Sequence, residues 1–145
     1  MWPDDDYLSR LGRIAYGVAY LEALIVNDLY RVQSAGSALT PAELSGSRDT
    51  TFVIGSRLES FASTIADPGE RAWAQTSATI LKAIASERND VLHARPITDA
   101  LGRQRLQRRR AADGAVVEIT DSHLDDLLVR IDEAIRRVSA CRLPG

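Results

Sequence analysis

Arg88, Asn89 and His93 are the residues of this chain whose types and spacing could do chemistry, within the stretch Glu87-Arg88-Asn89-Asp90-Val91-Leu92-His93-Ala94-Arg95-Pro96. A histidine gives and takes protons near neutral pH. An arginine fork matches a phosphate or a pentavalent phosphorane. An asparagine one helical turn before the histidine can hold one ring nitrogen and leave the other free. Those groups, without a metal, suffice for cleavage of RNA by its own 2′-hydroxyl, a reaction that DNA should resist. The sequence carries no P-loop, no G-x-G-x-x-G after a strand, no H-E-x-x-H and no G-x-S-x-G.

The element that must position these groups is a long helix. Asp67-Pro68-Gly69-Glu70 reads as N-cap, first-position proline and capping-box glutamate. Pro96 removes a donor and disfavours helix at Arg95, so His93 belongs to the last turn. The helix's apolar stripe runs Trp73, Ser77, Ile80, Leu81, Ile84, Arg88 and Val91, which places Arg88 inside the face that should be buried. His93 falls in line with Asn89, Ser86 and Lys82, about 140° around the helix from Arg88. For both to act on one ligand, the helix must end irregularly or a second copy of the chain must complete the site.

The remaining elements form the scaffold. Asp4, Asp5 and Asp6 cap a first helix with the stripe Leu8, Leu11, Ala15, Val18, Glu22, Ile25, Leu29 and Val32, widened by Ile14, Leu21 and Leu24. Glu22 interrupts that stripe as Arg88 interrupts its own, so the two are expected to pair, either as a structural bridge or within a site. Gly12 and Gly17 would admit a neighbouring backbone. Ser34 to Ser47 reads as a loop, and Ser47 or Asp49 as the cap of a second helix with the stripe Phe52 or Val53, Ile54, Leu58, Phe61 and Ile65. The short link to the third helix makes helices two and three antiparallel neighbours. After Pro96 a β-hairpin is expected at about 101–120: a basic strand Leu101 to Arg110, a turn at Ala112-Asp113-Gly114-Ala115 and a return at Val116 to Thr120. Its arginines, on both faces, imply a largely solvated strand, read either as an edge blunted by charge or as a phosphate-binding surface. Arg95, Arg103, Arg105 and Arg108, with Glu22, are the candidate binding residues. Thr120-Asp121-Ser122 caps the last helix, with Ser122 and Asp125 as a capping box and His123 on the surface. Leu124, Leu127, Leu128, Ile131, Ile135 and Val138 form its apolar face.

The expected fold is all-α, an antiparallel four-helix up-and-down bundle with the hairpin inserted between helices three and four, in one domain spanning 1–145. Apolar residues make up 45% of the 145, enough for a core. No apolar run approaches a membrane span, and the acidic start Asp4-Asp5-Asp6 is unlike a signal peptide, so a cytoplasmic protein is expected. Cys141 is the only cysteine, and with His93 and His123 alone beside it no zinc cluster and no cofactor are expected. The net charge of -2 gives no global pull toward nucleic acid, so such binding must come from a local patch.

Arg88-Asn89-(three residues)-His93 resembles the R-x4-6-H motif of HEPN domains, including the polar residue directly after the arginine. The layout of helices, with the motif late in the third and another helix after it, resembles that family too. The resemblance implies a bundle that dimerises so that the motifs of two chains line one cleft. It implies metal-independent endoribonuclease activity, in many members as the toxin of a toxin-antitoxin or antiviral system paired with a nucleotidyltransferase-like antitoxin. Carried over, Arg88 would stabilise the scissile phosphate, Asn89 would orient, and His93 would act as acid or base. The alternative is a noncatalytic HEPN-like module that binds a nucleotide, RNA or a protein partner.

Overall fold

The Asp4 carboxylate accepts the N–H of Tyr7 at 2.9 Å and starts α1 (Asp5–Asp28), which ends in one tighter turn, Leu29–Arg31. In the computed structural model, which describes residues 1–32 and 50–144, three more helices follow: α2 (Thr51–Ala62), α3 (Pro68–Leu92) and α4 (Asp121–Ala140). Between α3 and α4 lie the strands β1 (Arg95–Thr98), β2 (Gln104–Arg109) and β3 (Val116–Ile119). The expected loop at Ser34 to Ser47, and the caps Ser47 and Asp49, lie outside the described residues. Thr50 caps α2 instead, its hydroxyl accepting the N–H of Val53. Asp67 and Pro68 start α3 as their types require, with the Asp67 carboxylate taking the N–H of Glu70 at 2.9 Å. At α4 the Thr120 hydroxyl takes the N–H of His123, and Asp125 reaches Arg10 rather than closing a box with Ser122.

The class is helical with a small sheet, and the chain directions depart from an up-and-down bundle. Gly17 faces Ile131, Arg10 reaches Asp125 and Asp28 holds Arg142, a nearly constant offset that makes α1 and α4 parallel. Leu11 and Ala15 share a groove with Leu92 and Arg88, and Glu87 pairs with Arg130, so α3 runs against both α1 and α4. Thr51 bonds Glu22 and α2 then packs antiparallel on α3, which gives α2 the direction of α1. Up-and-down order therefore holds from α2 to α4 and fails between α1 and α2. The chain from Leu29 to Thr50 is long enough to bring the start of α2 back beside Glu22, in the last third of α1, with α2 pointing the same way as α1.

The expected hairpin is a three-stranded antiparallel sheet in the order β1-β2-β3. Arg95 opposes Gln107 and Leu106 opposes Ile119. Pro96 is tolerated because β1 is an edge strand that need not donate there. The missed turn is Asp99 to Gly102: the Asp99 carboxylate accepts the N–H groups of Leu101 and Arg103, each at 2.9 Å, and Gly102 takes a φ of 77°.

The core is one cluster built from Tyr7, Ile14, Val18, Leu21 and Ile25 of α1, Leu58 of α2, Trp73, Ala78, Leu81 and Ile84 of α3, Ile119 of β3, and Leu124, Leu127, Ile131 and Val138 of α4. α1 is turned relative to the expected stripe, so Leu8 and Ala15 are exposed and Leu11 is half-buried. Tyr7 takes the inward place. Its hydroxyl donates to the Ile119 carbonyl at 2.7 Å and accepts the Leu106 N–H at 3.1 Å, which ties the start of α1 to β2 and β3.

Candidate functional site

α3 ends at Leu92, with His93 as its C-cap donating its N–H to the Asn89 carbonyl at 3.0 Å. Pro96 brings this about by committing the chain to the extended conformation of β1. Arg88 lies one turn earlier and lines a groove of about 400 Å³ between α1, the end of α3 and β2. The other walls are Leu11, Ile14, Ala15, Val91, Leu92, Ala94 and Leu106, all apolar. The Nε of Arg88 is buried and bonds nothing, and its guanidinium forms no ion pair among the described residues. A guanidinium stays charged in any surroundings, so this groove offers an anion a fork with no internal competitor.

The expected Glu22–Arg88 pair does not form. Glu22 accepts a hydrogen bond from the Thr51 hydroxyl. Ala15 shares the groove with Arg88, and Glu22 stands two helical turns further along α1, about 10 Å away by helix rise. Two interrupted stripes signalled a partnership, but their vertical register was set by chain directions that the pattern does not encode.

His93 is exposed, flanked by the groove residues Leu92 and Ala94 but not itself in the lining. Its imidazole and the half-buried Asn89 amide make no side-chain hydrogen bond among the described residues, so the expected orienting bond is not formed within one chain. The His93 carbonyl accepts from Arg108 at 3.4 Å. Arg88 and His93 thus stand at the same end of α3, the first on the groove wall and the second on the adjoining open surface.

The basic strand is sorted into distinct surroundings, and it is not largely solvated. Arg105 is only 5% exposed. Its guanidinium pairs with Asp4 and Asp121, each at 2.8 Å, and lies 4.5 Å from the centre of the Tyr7 ring. The Tyr7 N–H bond, and then Arg105, hold the Asp4 carboxyl below the usual carboxylate range, while burial pushes the Tyr7 hydroxyl up. Arg103 pairs with Asp99 at 2.9 Å. Arg110 grips Asp90 with contacts at 2.7 and 3.3 Å, and Arg108 approaches the same carboxylate at 3.9 Å. Arg95 and Arg109 are exposed, with no ion pair among the described residues.

Three residues that matter to this arrangement were not singled out from sequence. Tyr7 is the hub under Arg105, Asp90 fixes β2 to the end of α3, and Arg109 is the strand arginine left unpaired. The available signal was the count of nearby acids, since Asp90, Asp99 and Asp121 each bracket the basic run and could have been assigned to it. Among the described residues no group of three or more His, Cys, Asp and Glu is placed to hold a metal ion, and no helix is long and apolar enough to cross a membrane. Compared with protein-family models, curated proteins and solved structures, the chain matches none.

Proposed function

We propose that the protein is a metal-independent endoribonuclease of the HEPN type, acting as a homodimer in which Arg88, Asn89 and His93 of two copies line one cleft. One observation carries the reading: Arg88 projects a guanidinium without an acidic partner into an open groove, one turn before an exposed histidine at the helix end. His93 serves as acid or base on the 2′-hydroxyl or the leaving oxygen, and Arg88 neutralises charge developing on the scissile phosphate. Within one chain the two groups face different surroundings, so the reaction requires a second copy to bring an arginine and a histidine together. The exposed flank of α1 beside the groove, with Leu8, Gly12, Ala15 and Tyr16, is the surface this reading assigns to that contact. The same resemblance extends the proposal to the toxin of a toxin-antitoxin or antiviral pair, neutralised by a nucleotidyltransferase-like protein.

The test is cleavage of single-stranded RNA in EDTA. Wild type should cut, and His93→Ala should lose at least about a hundredfold in rate, the low end of general acid-base contributions, with its thermal melt retained. Full activity in that variant overturns the assignment. Sedimentation should show a dimer.

A noncatalytic HEPN-like module is favoured by a different observation, the absence of His93 from the lining of an otherwise apolar groove. It predicts a nucleotide, RNA or protein ligand bound with Arg88-dependent affinity and left uncut.

A further inference from the structure

Five arginines stand between Arg103 and Arg110 and a sixth at Arg95, and the fold does not use them alike. Arg103, Arg105 and Arg110 are held by Asp99, Asp4 with Asp121, and Asp90. Arg108 is turned to Asp90 and the His93 carbonyl. Arg95 and Arg109 are left over, exposed and without an ion pair among the described residues.

The register places those two together. Arg95 opposes Gln107 on β2, so Arg109, two residues on, is its diagonal neighbour on the same face of the sheet. Such neighbours stand about 7–8 Å apart, within reach of long side chains. The ladder ends at the Arg95 and Gln107 pair, and His93, two residues earlier, is the C-cap of α3 rather than part of the strand. Arg95 and Arg109 therefore stand together where the chain leaves α3 and enters the sheet. Glu118 opposes Gln107 on this face and forms no ion pair with either arginine. Pro96, Leu106 and Ile119 belong to the opposite side of the pleat, with Leu106 and Ile119 packed on the core.

We infer that Arg95 and Arg109 form a track for the phosphate backbone of a single-stranded nucleic acid. Two forks set along a strand face, with no cup around them, suit successive phosphates of an extended chain better than one enclosed ion. No aromatic side chain stands on the three strands, so bases are not stacked there, and the contact is independent of sequence. The inference rests on the RNA-directed reading above and adds a binding surface to it.

The test is fluorescence anisotropy with a labelled 2′-O-methyl oligouridylate, which lacks the free hydroxyl that cleavage needs. At low salt the Arg95→Ala/Arg109→Ala protein should bind about tenfold or more weakly than wild type. Its slope of log affinity against log salt should fall by about 1.4, at roughly 0.7 per single-strand phosphate contact. Arg103→Ala, which removes a guanidinium already held by Asp99, should change affinity less than twofold. Wild-type affinity and slope in the double variant, equal weakening in Arg103→Ala, or no binding by wild type overturns the track. The ribonuclease reading fails separately. If His93→Ala leaves cleavage intact while the double variant still loses binding, the track stands without the nuclease; if the double variant binds normally and His93→Ala is inactive, the nuclease stands without the track.

Discussion

The two flanks of α1 are built on opposite rules. Toward α4 and the sheet, polar groups are answered at close range: Arg105 has two carboxylates and the Tyr7 ring, Arg10 has Asp125, Asp28 takes Arg142 through contacts of 2.8 to 3.1 Å, and Gly17 lets Ile131 against the helix. Toward the end of α3 a guanidinium and an imidazole go unanswered among the described residues, beside apolar walls, and Gly12 faces open space. Each flank holds an arginine, Arg105 buried and Arg88 half-buried beside the open groove. A buried charge inside a complete set of partners is a structural joint, whereas one without partners leaves room for a ligand.

The largest effect that would break this contrast is on stability. Arg105→Ala should cost about 2–3 kcal/mol in urea unfolding, somewhat below the usual 3–5 kcal/mol for a broken buried pair because Asp4 and Asp121 regain water. Arg88→Ala should change stability by less than about 1 kcal/mol, since no partner is stranded. Equal losses would mean that Arg88 is also a joint.

Glycine substitutions sharpen the comparison at intermediate size. An alanine Cβ at position 17 would meet the Ile131 Cγ2 at 2.8 Å. Overpacking of that kind typically costs about 1–3 kcal/mol, so Gly17→Ala should lower the urea midpoint despite its gain in helix propensity. At position 12 nothing lies within 4 Å. Gly12→Ala should therefore raise the midpoint by the equivalent of about 0.5–1 kcal/mol. A loss there instead would show that a second subunit covers this flank.

The smallest effect is acid sensitivity. Asp4 and Asp99 both have lowered folded pKa values, Asp4 first through the Tyr7 N–H and Asp99 first through the Arg103 N–H. Their contribution is present above the unfolded value of about 4 and lost as pH falls through the lower folded value. Asp4→Asn should weaken the protein at pH 7 and flatten the fall of its urea midpoint between pH 5 and pH 3. A parallel curve would remove Asp4 from the joint.

What could be read from sequence followed from local chemistry. Asp67-Pro68 started a helix and Pro96 ended it after His93 because caps and proline act within a turn. The apolar faces of α3 and α4 lie inward at Trp73, Leu81, Ile84, Leu124, Leu127 and Ile131. The failures were non-local. Nothing in the sequence of α1 says that α2 runs parallel to it, and so the Glu22–Arg88 pair was set at the wrong height. Arg105 reads as solvated in the sequence because one of its two partners, Asp4, lies about a hundred residues away at the start of α1. β1 was overlooked because Pro96 was read only as the end of a helix, although Asp99 and Gly102 mark a turn that needs strands on either side.

Arg88 and His93 are proposed to catalyse attack by the 2′-hydroxyl on its own phosphate. The most direct measurement is the chemistry of the cut ends when wild-type protein acts on a single-stranded RNA in EDTA. Products carrying a 2′,3′-cyclic phosphate and a 5′-hydroxyl, with a substrate deoxy at every sugar left intact, are the predicted result. Ends bearing a 3′-hydroxyl and a 5′-phosphate, or RNA left whole by a correctly folded dimer, would contradict it.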